Sequence, residues 1–198
     1  MNRSVLFLLF ISACCKADDL PLLASDASLE IVFEFPLEII LKQAADRPVV
    51  DGFLYYINAA GEQVTIPTKM TTRGKSRLEL CRFPPLSLRV GKKAAMGTIF
   101  EGQKKLKIVT HCRADHRFRN YLLQDDSTYE AFNVLTDISF RTRYLNVTYR
   151  DSNPLHRSIS EPAFFIESIN HVADRTQLET QKVGEVRSSQ LDPGFAAY

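Results

Sequence analysis

Two lysines two residues apart, followed by an acid in a helical segment, are the residues of this chain best suited to gripping a phosphate. Lys105 and Lys107 lie in the run Lys104 to Cys112 (KKLKIVTHC), and spacing of two puts them on one side of a strand. Downstream, Phe118, Tyr121, Leu122, Tyr129 and Phe132 recur at helical spacing and predict one apolar face of a helix over residues 117–135. At about 100° per residue, Asp125 falls near the middle of that face and Asp126 well off it. A carboxylate on a buried stripe is costly unless it is paired. Two readings stay open. Asp125 is a partly exposed or Arg-bonded structural acid, or it orients a lysine, Lys107 before Lys105, in a site.

Cysteine and histidine chemistry is limited to a few positions. Cys81 and Cys112 lie in the folded body, and in an exported domain two such cysteines predict one disulfide. His111, Cys112 and His116 allow a metal site as the competing reading, but no C-x-x-C accompanies them. The P-loop, the G-x-G-x-x-G fingerprint, the G-x-S-x-G elbow and H-E-x-x-H are all absent.

The elements that must position these residues follow from alternation and turn signals. Leu29, Ile31, Phe33 and Phe35 alternate with Glu30, Val32 and Glu34 and predict a half-buried strand ended by Pro36. Residues 37–44 form a short helix. Residues 53–57 and 64–72 form a hairpin around Asn58 to Gly61. Arg73 to Arg77 is a polar loop. Strands follow at 86–90, 106–112, 140–149 and 163–167, and Ser168 caps a short helix through Arg175. Arg141 and Arg143 flank Thr142 on a solvated strand face.

Composition bounds the rest. The chain has 198 residues, 45% hydrophobic and 24% charged, which excludes a disordered or coiled-coil protein. A net charge of +2 gives no general reason to bind nucleic acid. Arg3 and the apolar run Val5 to Ile11 predict an export signal over residues 1–17. Ile11-Ser12-Ala13-Cys14 resembles a lipobox, with Cys14 lipidated. Cleavage after Ala17 and an uncleaved N-terminus are the alternatives. Export places the chain in the periplasm or cell envelope, touching a membrane only through the lipid. Residues 18–28 are a linker.

Taken in order, several segments resemble the CotH kinase-like family, the atypical kinases typified by spore coat protein H, in an exported bacterial branch. They are Arg73-Gly74-Lys75-Ser76-Arg77, Cys81 to Leu86, KKLKIVTHC, Arg119 to Gln124, the run 133–149 and Ala163 to Glu167. The resemblance implies an α+β fold over residues 29–175: a kinase-like N-lobe, mostly an antiparallel sheet packed with one long helix. Residues 176–198 would be only the start of a C-lobe. It further implies nucleotide contacts at Arg73, Lys107, Lys105, Asp125 and Glu167, with ATP and Mg²⁺ as cofactors and a protein as substrate. Glu167 would close the hinge strand, and Asp125 takes the place of the family's usual glutamate. The catalytic-loop and metal-binding Asp residues of the family have no counterpart here. The expectation is therefore a kinase N-terminal portion without catalytic competence. A lipid-anchored, non-catalytic binding or structural module of the envelope is the alternative.

Overall fold

A computed structural model describes residues 20–156 and 158–181. The export signal, with Cys14, and the end of the chain lie outside these residues. Seven strands form the frame: β1 (Leu29–Phe35), β2 (Val50–Ile57), β3 (Gln63–Thr72), β4 (Leu86–Val90), β5 (Lys105–Thr110), β6 (Thr142–Asp151) and β7 (Ile159–Ile166). Their spatial order is β1-β2-β3-β4-β5-β7-β6, closed into a barrel. Neighbours pair antiparallel, except that β6 runs parallel to β1, with Ile31 opposite Val147 and Phe33 opposite Tyr149.

This closure corrects the fold expected from the sequence. An open kinase N-lobe sheet has two free edges, whereas here β6 joins β1 and leaves none. Alternation says which side chains of a strand are buried. It does not say whether the last strand returns to the first. The inward side chains fill the barrel completely: Phe33, Leu54, Ile66, Leu86, Ile108, Leu145 and Phe165 are all fully buried. Gly52 permits the tight approach of β1 and β2, because a Cβ there would sit 2.3 Å from the Glu34 carbonyl oxygen.

Five helices decorate the barrel: α1 (Leu37–Lys42), α2 (Ser76–Leu80), α3 (Lys92–Ala95), α4 (His116–Leu135) and α5 (Ile169–Thr176). Ser168 caps α5 by accepting from the His171 N–H, as its position suggested. Asp115 caps α4 through the Arg117 N–H. The loop expected at 73–77 turns into α2 at Ser76.

α4 lies on the outer wall, where Leu122 and Tyr129 pack on Val109 of β5 and on Phe164 and Ile166 of β7. Its rotation differs from the apolar-periodicity reading. Tyr121 and Phe132 are 59% and 54% exposed, and the buried line runs through Leu122 and Asp126. Polar anchors set this rotation. Arg119 grips Glu161 of β7 through two hydrogen bonds of 2.6 Å, and the Asn133 amide donates to the Phe140 carbonyl. Such anchors carry no weight in an apolar pattern.

Candidate functional site

Strand parity brings the predicted basic residues together. Leu106 and Ile108 point into the barrel, so Lys105 and Lys107 point outward from β5. Lys107 stands between Ser87 of β4 and Ile166 of β7. Arg73 continues the outward parity of β3, and its N–H donates to the Pro85 carbonyl at 2.9 Å. Gly74 follows at φ +95°, a conformation that suits glycine. The corner is pinned from outside, where Arg47 donates to the Gly74 carbonyl at 2.7 Å.

α2 forms one wall of the adjoining groove. Arg77 donates to the Thr110 carbonyl at 3.0 Å, and the Cys81–Cys112 disulfide ties the end of α2 to the end of β5. A cavity of about 520 Å³ opens here between Arg77, Leu80, the disulfide, Phe118, Tyr121 and Asp125. The guanidinium of Arg113 sits 5.4 Å from the Phe118 ring centroid and closes one end.

The electrostatics of the groove are lopsided. Burial, then Arg73, then Lys105, hold the Lys107 ammonium below the ordinary lysine range. Burial and then Arg77 lower Arg73, against a favourable contribution from Tyr129. Burial and then Asp125 push the Tyr129 phenol upward, against Arg73. Among the described residues neither Arg73 nor Lys107 makes an ion pair or a side-chain hydrogen bond.

Two of the expected site residues are placed otherwise. Asp125 is exposed and makes no ion pair with Lys105 or Lys107; it lines the cavity from the far side. The buried carboxylate is its neighbour Asp126, raised by desolvation against a lowering contribution from Thr142, with one oxygen lacking a partner among the described residues. Glu167 is buried and fully engaged, accepting from the Arg175 guanidinium at 3.0 Å and from the Arg141 N–H at 3.0 Å. It holds α5 to the barrel rather than facing the groove. Lys105 remains exposed at the groove's edge.

Arg77 lines the cavity and Tyr129 lies near Arg73, although the sequence reading gave neither a role there. Arg77 lies four residues after Arg73, a spacing that would have counted only if a helix had been expected to begin at Ser76. Among the described residues, no group of three or more His, Cys, Asp or Glu could hold a metal ion. Among the described residues no carboxylate cradle for Mg²⁺ accompanies these cations. Compared with protein-family models, curated proteins and solved structures, the chain matches none.

Proposed function

We propose that this chain is an exported, lipid-tethered binding module of the cell envelope that holds the phosphates of a nucleotide-like ligand at Arg73 and Lys107. One observation carries the reading. Arg73 and Lys107 are partly buried cations that lie close to one another, with no carboxylate on either among the described residues. Burying like charges side by side is unfavourable, and an anion placed between them relieves both. Tyr129 adds a phenolic donor, and Phe118 and Tyr121 line the adjoining cavity with ring surface suited to a base.

The resemblance of the segment order to that of CotH-like kinases is what suggests a nucleotide as the ligand class. Binding without transfer is favoured over the kinase reading, because the barrel closes where a kinase N-lobe lies open. Titration calorimetry of the purified chain with ATP, ADP and pyrophosphate, with and without Mg²⁺, tests the proposal. Binding of all three is expected, and Arg73→Met or Lys107→Met should each weaken it at least tenfold, as for a lost charge-assisted hydrogen bond. Heatless titration with every one of the three ligands would overturn it, and transfer of the γ-phosphoryl group of ATP to a protein hydroxyl would favour a kinase instead.

A further inference from the structure

On the outer face of β2 to β5, the strand registers build a second unusual surface. Lys69 of β3 stands opposite Arg89 of β4, and Arg89 opposite Lys105 of β5. Three cations thus lie abreast on adjacent strands. Like charges directly opposite one another destabilise a sheet. One acid begins the row: Asp51 of β2, opposite Lys69 and 2.6 Å from it. Arg89 and Lys105 have no ion-pair partner among the described residues.

Beside this row, the outward positions of β2 beyond Asp51 are apolar or aromatic. Phe53 and Ile57 are 45% and 57% exposed, Phe53 is cross-strand from Pro67 of β3, and Val49 lies exposed on the other side of Asp51. Phe53 and Tyr55 hold their rings 6.2 Å apart. Apolar side chains on one flank and unpaired cations on the next are the make-up of an interfacial surface. The rings and aliphatic groups enter the headgroup and acyl boundary while the cations meet anionic headgroups.

We infer that the outer face of β2, β3, β4 and β5 docks the barrel on an anionic bilayer. Charge complementarity names the occupant, and the aliphatic Val49 and Ile57 favour a lipid surface over a nucleic acid. A nucleic acid would use the rings for stacking and gain little from these groups. Arg73 and Lys107 point outward from the same strands, so the docking face adjoins the ligand site and Lys105 borders both, but the inference needs no ligand bound there.

Partitioning of the full chain on phosphatidylcholine vesicles, with and without phosphatidylglycerol, tests it. Every variant carries the same apolar N-terminal run, so differences between variants belong to the barrel. Phosphatidylglycerol should strengthen binding at least tenfold, and added salt should reverse the gain. The Arg89→Gln/Lys105→Gln pair should lose roughly twentyfold, about fivefold per cation. The Phe53→Ser/Ile57→Ser pair should also lose several-fold. The chain has no tryptophan, so Phe53→Trp introduces a single reporter. Its emission should shift to the blue on anionic vesicles, whereas that of Val134→Trp on α4 should not move. An unshifted Trp at position 53, or a Ser pair that binds like the parent, overturns the inference. Single-stranded DNA that binds while the lipid signals stay flat would assign the face to a polyanion and overturn it equally.

Discussion

Arg119 and Arg175 meet carboxylates on the barrel; Arg73 and Lys107 do not. Arg119 closes a two-bond fork on Glu161, and Arg175 reaches Glu167 while also donating to the carbonyls of Asp137 and Ser139. Arg119 in turn holds the Glu161 carboxyl below its ordinary range. These guanidiniums join α4 and α5 to β7, the geometry in which Arg outperforms Lys. At Arg73 and Lys107 the same kind of charge lies partly buried beside another cation. A satisfied cation is a structural joint. An unsatisfied one is a vacancy in the charge balance that a ligand can fill.

The comparison breaks first at Arg175. Arg175→Met leaves Glu167, almost wholly buried, without its counter-charge and should cost about 3–5 kcal/mol. Arg119→Met should cost less, because water reaches that guanidinium and can partly replace it. Urea unfolding measures both. A loss under about 1 kcal/mol at Arg175 would place it with Arg73 and Lys107, and the distinction would fail.

The disulfide comes next. It closes a separation of 31 residues, and Cys81→Ser/Cys112→Ser should lose about 3–4 kcal/mol on the chain-entropy account. Since the bridge holds α2 beside Arg73, the same double variant should weaken pyrophosphate binding in calorimetry. Full stability loss with unchanged affinity would detach α2 from the ligand groove.

Much of this arrangement was legible in the sequence, and what was missed shares a cause. Alternation in Leu29 to Phe35 revealed a strand and its buried face, the strand expected at 106–112 lies at Lys105–Thr110, and Ser168 marked the start of α5. Spacing of two put Lys105 and Lys107 on one side. Barrel closure was hidden because the β1–β6 register joins residues more than a hundred positions apart, with no local turn to announce it. The rotation of α4 was hidden because its aromatic residues at 118, 121 and 132 form the more visible stripe. The helix is instead turned by Arg119 and Asn133, whose partners Glu161 and Phe140 become apparent only in the folded chain.

Asp126 is the opposite-sign counterpart of Lys107. Burial raises its carboxyl above the ordinary aspartate range, with Glu130 and Asp125 adding to the rise and Thr142 opposing it. A raised folded value means that the folded state binds the proton more tightly than the unfolded chain. Its contribution is fully present below the unfolded aspartate value and is lost as pH climbs through the folded one. Asp126→Asn should flatten that part of the stability–pH curve and change stability at neutral pH by about 1–3 kcal/mol, the cost of a poorly satisfied buried group. Thermal unfolding across pH 4 to 7, an interval chosen around the ordinary value, checks this. An identical slope in both proteins would show that Asp126 is ionised at no cost.

Lys107→Met carries the smallest change in stability and the sharpest distinction. Removing a partly buried, unpaired cation should raise stability slightly, by less than about 1 kcal/mol given the water that still reaches the ammonium. The sign with pH is the reverse of that for Asp126. Because the folded ammonium gives up its proton more easily than the unfolded one, the penalty in the parent chain is full at neutral pH. It fades as pH rises through the folded value toward the ordinary lysine value. The advantage of the variant should therefore shrink in alkaline buffer. Saturating pyrophosphate should invert the order, since it stabilises only the chain that binds it. Arg175→Met, compared in the same way, should stay destabilised with or without the anion. If pyrophosphate fails to reorder Lys107→Met and the parent chain, Lys107 is a surface charge like Lys105 and the vacancy at the groove is not a ligand site.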